Sequence, residues 1–128
     1  MMKSKADIEK LEKLLGQLQG LHAEISALAR KSPNDALNPF KLKLINKVLD
    51  AGNEVLGDDY RPFDDFEKFE SDDVPSNSDV TVVLGQYMEE AERYRSDNVK
   101  STAGSWFYVV NGDASDVRAG PPSKIGRK

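Results

Sequence analysis

Apolar residues recur at intervals of three and four along residues 5–31, and this heptad spacing constrains the fold more than any other feature. A second series of leucines, each seven residues after the last, widens the stripe on one flank. The pattern predicts one amphipathic helix of about 40 Å, at about 1.5 Å per residue. Such a helix is not stable alone in water, so other elements must cover its stripe. This leucine seam comprises Ile8, Leu11, Leu15, Leu18, His22, Ile25 and Ala29, flanked by Leu14, Leu21 and Leu28.

Two more helices are predicted from capping residues and from the same helical period. Asn38 before Pro39 marks a helix start, because Asn caps the first turn and Pro suits the first helical position. This second helix is expected over residues 39–56, ending at Gly57. A third helix is expected over residues 79–98, after a cluster of capping residues. The connection between the first two helices is short, so they should form a long antiparallel hairpin.

The chain beyond residue 98 has a different character. Trp106–Val110 is apolar and aromatic and lies between glycine turns, which predicts one short strand. A return strand near residues 116–119 has a poor composition for pairing. Residues 99–118 are therefore interpreted as an aromatic C-terminal extension, and residues 119–128 as a disordered basic tail.

Together these elements predict an all-α fold. Residues 1–98 would form a small helical bundle, the hairpin plus the third helix, followed by a short β or aromatic extension. The apolar faces of the first two helices are broad for a three-helix monomer, so we expect a homodimer that closes a four- or six-helix assembly. Two placements of Trp106–Val110 fit this fold: docking on its own helices, or strand addition to another chain.

The composition excludes several classes of reactive or metal-binding site. The chain has no cysteine and one histidine, so disulfides, thiolate nucleophiles, zinc fingers, iron–sulfur clusters and multi-histidine metal sites are ruled out. His22 lies within the leucine seam and is interpreted as an interface residue rather than a catalytic base. We therefore predict no catalytic residue, no metal site and no cofactor. An enzyme would have to use carboxylates with Tyr60, Tyr87 or Tyr94.

The termini and the hydropathy bear on localisation. The N-terminus is basic, but no apolar run follows it, so no signal peptide is predicted. No stretch approaches the roughly 18 apolar residues of a membrane span. The expected location is the cytoplasm, with no membrane partner.

Residues 58–78 form a segment, the acidic loop, in which acidic and aromatic residues alternate. Residues 58–79 carry a net charge of -7, yet phenylalanines three residues apart lie among the acids. Compact domains seldom contain so long a loop without structure of its own, so we expect an ordered loop that its aromatics anchor. The predicted partner-binding residues are Asp64, Asp65, Glu67, Glu70, Asp72 and Asp73, and the predicted aromatic anchors are Phe63, Phe66, Phe69, Trp106, Phe107 and Tyr108.

The N-terminal part of the chain has the opposite charge. Residues 1–47 carry a net charge of +4, whereas the whole chain has a net charge of -4. An acidic chain is repelled by nucleic acid, which argues against a dedicated nucleic-acid binder. The basic residues are nevertheless an alternative contact surface: Arg30, Lys31, Lys41, Lys43 and Lys47, with the tail residues 124–128.

The function that these patterns predict is a non-catalytic protein–protein interaction module. The acidic loop would be presented to a basic partner surface, and this binding should weaken as salt screens the charges. The alternative is a small regulator that touches nucleic acid through the basic patch on the helical hairpin.

Overall fold

A computed structural model describes residues 1–127 of the chain, and it contains three α-helices followed by a three-stranded antiparallel sheet. The helices are α1 (Lys5–Lys31), α2 (Pro39–Tyr60) and α3 (Asn77–Ser96), with a short 3-10 helix at Ser71–Asp73. The strands are β1 (Val99–Thr102), β2 (Ser105–Val110) and β3 (Asp113–Arg118), in the order β1-β2-β3.

The prediction of an all-α fold is therefore wrong, although its three helices are present. The error lies in the two outer strands, whose sequences are polar and whose residues are largely exposed, so they lack the apolar alternation of a typical strand. The two turns that join the strands are the clearer sequence evidence for the sheet. Ala103-Gly104 and Asn111-Gly112 have positive φ at all four positions, from 52° to 86°, and such two-residue turns match the twist of a β-hairpin.

The helix starts follow from their capping residues. The Asn38 side chain accepts hydrogen bonds from the backbone N–H groups of Phe40, at 2.8 Å, and Lys41, at 3.3 Å. Ser76 and Asp79 form a reciprocal capping box at the start of α3, with bonds of 3.1 and 3.0 Å. Gly57 has a φ of 62°, and α2 continues past this kink for one more turn.

Half of the leucine seam is fully buried within a single chain. Ile8, Leu11, Leu14, Leu18 and Ile25 are at most 1% exposed, whereas Leu15, Leu21, His22, Leu28 and Ala29 are half-buried. Both other helices contact α1, which makes its most extensive helix contact with α3 rather than α2. One chain therefore covers much of the seam by itself, and the homodimer stays a prediction.

The sheet packs on the same core as the helices. Tyr108 on β2 is 3% exposed and joins the main core, and Val110 and Val117 pack against that core. At the N-terminus, the Asn111 N–H donates to the Met2 carbonyl at 2.9 Å. Lys5 forms an ion pair of 2.8 Å with Asp116 on β3. The N-terminus and the sheet therefore form one body with the helices.

Residues 120–127, part of the predicted disordered tail, run along α3 and make hydrogen bonds to its side chains. Lys128, the last residue of that prediction and of the alternative basic surface, lies outside the described residues. Within residues 1–127, none of the helices combines the length and the apolar character needed to cross a bilayer.

Candidate functional site

The acidic loop connects α2 to α3, and all six of its predicted partner-binding carboxylates are exposed. Five of them border one shallow cleft of about 490 Å³. Asp72 lies in the adjoining 3-10 helix and is exposed as well. The chain thus gathers the carboxylates on one local surface rather than scattering them along an open coil. The cleft is lined by Asp64, Asp65, Phe66, Glu67, Lys68, Glu70 and Asp73.

Three phenylalanines of the loop form a continuous aromatic ladder. The ring of Phe66 meets those of Phe63 and Phe69 edge to face, with centroids 5.8 and 5.1 Å apart. Phe69 is 7% exposed and belongs to the core, and Phe63 contacts Tyr87 of α3 at 6.5 Å. Edge-to-face pairs add about 0.5–1.5 kcal/mol to the burial of the rings. The ladder therefore fixes the loop to the helices through its apolar side chains.

Two asparagines of α2 hold the loop backbone. Asn46 donates to the Phe69 carbonyl at 2.7 Å and accepts from the Phe69 N–H at 3.0 Å. Asn53 donates to the Glu67 carbonyl at 2.8 Å, and its own side-chain oxygen accepts from the Tyr87 hydroxyl at 2.7 Å. These contacts, the asparagine clamp, satisfy backbone groups that lie in no regular structure.

The asparagine clamp was not among the sequence-based predictions. Its signal is two asparagines seven residues apart, which places them on the same face of α2. Asparagine is a poor residue for the middle of a helix because its side chain competes for backbone hydrogen bonds. Two of them on one helical face indicate that their amides are used by a neighbouring segment.

The loop carboxylates differ in what they already contact. Glu67 forms an ion pair of 3.6 Å with Arg61. Glu70 and Asp73 cap the 3-10 helix reciprocally, with the Glu70 N–H donating to Asp73 at 2.9 Å. With partners drawn from residues 1–127, Asp64, Asp65 and Asp72 form no ion pair. These three aspartates are the ones whose full charge faces solvent.

The predicted aromatic anchors at residues 106–108 lie elsewhere, in the central strand β2. Tyr108 points into the core, whereas Phe107 lies on the other face under the Arg118 guanidinium, 5.8 Å from its ring centroid. Both edges of β2 are paired within the chain, so Trp106–Val110 docks on its own chain. Among residues 1–127, no ring of this group contacts a ring of the phenylalanine ladder.

The residues of the predicted basic patch lie in different local surroundings. Lys41 forms an ion pair of 3.0 Å with Glu24 of α1. Lys47 borders a cleft of about 340 Å³ between α1 and α2, together with Lys10 and Lys13. Lys43 borders a different, mostly apolar cleft. Arg30 and Lys31 are exposed in the last turn of α1.

The remaining candidate groups are His22 and the tyrosines that an enzyme would have to use. His22 is half-buried and borders a cleft of about 540 Å³ between α1 and α3. Burial raises the pKa values of Tyr87 and Tyr94, so both hydroxyls stay protonated at neutral pH. Across residues 1–127, no three His, Cys, Asp or Glu side chains converge as a metal site would require.

Comparison of the chain with models of protein families, with curated proteins and with solved structures gives no match.

Proposed function

We propose that this protein is a non-catalytic interaction module whose acidic loop binds a basic surface of a partner protein. The observation that carries the proposal is that exposed aspartates project from a backbone held by the asparagine clamp and the phenylalanine ladder. Asp64 and Asp65 lie between Phe63 and Phe66, so each exposed carboxylate adjoins an anchored ring.

Anchoring of the backbone favours binding because the loop is ordered before the partner arrives. A disordered acidic segment would lose conformational entropy on binding, at about 1–2 kcal/mol per residue for the backbone. Here the clamp and the ladder order the loop backbone during folding, so this entropy is lost before binding rather than on binding. The carboxylates can then contact a basic surface with little further ordering.

The charge distribution supports a partner that is basic. Residues 58–79 carry -7 in a chain whose total is -4, so the negative potential is concentrated at this loop. Concentrated charge accelerates association with a surface of opposite sign and disfavours partners of like charge. The expected interaction is therefore fast to form and sensitive to salt.

A pair of charge-matched variants tests the proposal. Asp64→Asn/Asp65→Asn/Asp72→Asn removes the three loop charges, and Glu9→Gln/Asp35→Asn/Asp113→Asn removes three exposed charges elsewhere, so both chains change from -4 to -1. Each chain is immobilised, proteins are captured from a lysate at low salt, and the bound fraction is quantified by mass spectrometry. Basic proteins that are retained are then tested as purified partners by calorimetry.

We expect a basic protein to bind the wild-type chain and the control variant, to be released by high salt, and to lose at least about tenfold in affinity for the loop variant. Equal binding to the two variants would show that the loop is not the contact surface. Retention of nucleic acid that is lost when the basic patch is neutralised would instead favour the alternative regulator; the patch comprises Arg30, Lys31, Lys41, Lys43 and Lys47.

Two further expectations belong with this proposal. The cytoplasmic location is one, and imaging of a fluorescently tagged chain checks it. The homodimer is the other, although one chain already covers much of the leucine seam. Light scattering at micromolar concentration checks it, since a mass near 14.2 kDa corresponds to one chain.

A further inference from the structure

The C-terminal segment Gly120–Arg127, here called the strap, lies along the last two turns of α3. Its main chain is held by arginines of the helix. Arg95 donates to the carbonyls of Gly120 and Pro121, at 2.9 and 2.7 Å. Arg93 donates to the carbonyl of Ile125 at 3.1 Å.

The backbone N–H groups of the strap are held as well. Ser96 accepts from the N–H groups of Ser123 and Lys124, at 3.2 and 3.3 Å, and Asp97 accepts from that of Arg127 at 3.0 Å. Side chains of α3 and of Asp97, the residue after it, thus supply both donors and acceptors to an irregular main chain that bends at Lys124. Bonds to the main chain can give a peptide site its affinity, while contacts to side chains give it selectivity.

The surface of α3 beneath the strap, here called the groove, selects basic side chains because it carries acidic ones. Lys124 pairs with Glu89 at 3.5 Å, and Arg127 pairs with Glu90, a carboxylate about nine-tenths buried that also contacts Arg93. The two basic side chains are three residues apart on the strap and meet adjacent acids on the helix. Burial of Glu90 makes an opposite charge beside it important, because an uncompensated buried charge is costly.

A glycine between the two basic residues is required by space. A Cβ built on Gly126 would lie 1.7 Å from one Asp97 oxygen and 2.7 Å from the carboxyl carbon. Asp97 has little room to move, since it also accepts from the Tyr60 hydroxyl. The groove therefore selects a Lys-x-Gly-Arg pattern through two charges and one steric restriction.

The strap has no apolar anchor in the core. Ile125 is 90% exposed, and Pro121 and Pro122 are exposed too. The residues packed on the core end at Ala119, one residue before the strap begins. The strap is attached by hydrogen bonds and ion pairs and adds no side chain to the core, so it can open without exposing the apolar residues of the core.

From this combination we propose that the groove on α3 is a binding site for a basic peptide of a partner protein, with the pattern Lys-x-Gly-Arg. The strap is its internal occupant, and a partner peptide binds when the strap leaves. This site is separate from the acidic loop and does not depend on the function proposed for that loop.

The test uses the full-length chain and a fluorescent peptide with the sequence of residues 119–127. Gly126→Val expels the end of the strap by steric conflict with Asp97. Gly120→Ala is the matched control, since its Cβ would lie an ordinary 3.9 Å from Arg95. Fluorescence anisotropy measures peptide affinity for each chain, and circular dichroism verifies that each is folded.

We expect the peptide to bind the Gly126→Val chain at least about tenfold more tightly than the wild-type or Gly120→Ala chain. The apparent affinity of the peptide is proportional to the fraction of molecules whose groove is open, and the strap keeps that fraction small in the latter two chains. A peptide that itself carries Val in place of the glycine should not bind. Failure of the peptide to bind a folded Gly126→Val chain, or equal affinity for all three chains, would overturn the proposal.

A second variant protects the test against misfolding at Asp97. Lys124→Glu/Arg127→Glu changes two side chains that are 38% and 50% exposed, and it opposes them to Glu89 and Glu90. The strap should open while the core is untouched, and the peptide should bind this chain as it binds Gly126→Val. Absence of binding here would equally overturn the proposal.

Discussion

The acidic loop and the strap are both irregular segments that lie on helices, but they are held in opposite ways. The loop is held by rings and by neutral amides, which leaves Asp64, Asp65 and Asp72 facing solvent. The strap uses its charged residues for its own attachment, while its one large apolar residue, Ile125, faces solvent.

The two segments differ in which side chains remain available to contact a partner. A loop held by apolar burial is insensitive to salt, so it can offer charge continuously. A segment held by charge competes with any partner of the same chemistry and responds to salt and pH. The loop is therefore suited to being a permanently exposed binding surface. The strap is suited to being a segment that a partner can displace.

The largest expected effect is on the apolar attachment of the loop. Phe69→Ala should lower the free energy of unfolding by about 3 kcal/mol, because it removes a buried ring and leaves a cavity. Urea denaturation measures the change. Phe40→Ala removes a ring that is 68% exposed and should change stability by less than about 0.5 kcal/mol. Similar losses for both variants would contradict a buried anchor at Phe69.

The asparagine clamp should follow in size. Asn46→Ala leaves the Phe69 N–H and carbonyl without their partners, and we expect a loss of about 2 kcal/mol. Hydrogen exchange of the Phe69 amide should accelerate accordingly. The exposed Asn34→Ala serves as the control and should alter neither quantity. Unchanged exchange at Phe69 in Asn46→Ala would show that the clamp does not hold the loop.

Acid should loosen the strap before the loop. Burial acts to raise the pKa of Glu92, but hydrogen bonds from Arg95 and Ser123 outweigh it and hold this pKa below the ordinary 4.5. A lowered carboxyl pKa stabilises the folded state above the unfolded pKa, and this stabilisation is lost as pH falls through the folded pKa.

Amide exchange of Ser123 should therefore accelerate below pH 4.5 relative to that of Phe69. Glu92→Gln should show a smaller acid response at Ser123. Parallel acceleration at both amides would contradict the contrast between the two segments.

Salt should produce the smallest change. Trypsin cleaves after Lys124 in the strap and after Lys68 in the loop, so one digestion compares the two segments in the same molecule. High salt should raise cleavage at Lys124 by up to about fivefold, given about 0–1 kcal/mol for each exposed pair. Cleavage at Lys68 should stay constant. An equal salt response at both sites would indicate that charge does not distinguish them.

The helices were predictable because their signals are local. Asn38, Pro39 and the Ser76–Asp79 capping box act within one turn, and the heptad spacing of α1 repeats within the helix itself. The sheet was only partly predictable. β2 is aromatic, but the outer strands gain their pairing from β2 and from the Asn-Gly turn rather than from their own side chains.

The candidate sites also differ in whether the residues that form them are close together in the sequence. The acidic loop and its phenylalanines were visible as composition and spacing, whereas Asn46 and Asn53 act on residues 23 and 14 positions away, respectively. The strap was predicted to be disordered because its sequence contains no apolar period. Its partners Arg95 and Asp97 are 25 or more residues away, so only the packed chain brings them together.

By itself, the sequence determined three helices, an acidic loop with aromatic anchors and the absence of cysteine chemistry, because each of these depends on residue type or on spacing within a few turns. The tertiary structure decided how much of the leucine seam one chain covers, that polar strands form a sheet, and that the basic C-terminal segment lies on α3. These outcomes depend on which distant surfaces meet, and burial, hydrogen bonding and charge pairing act only once they do.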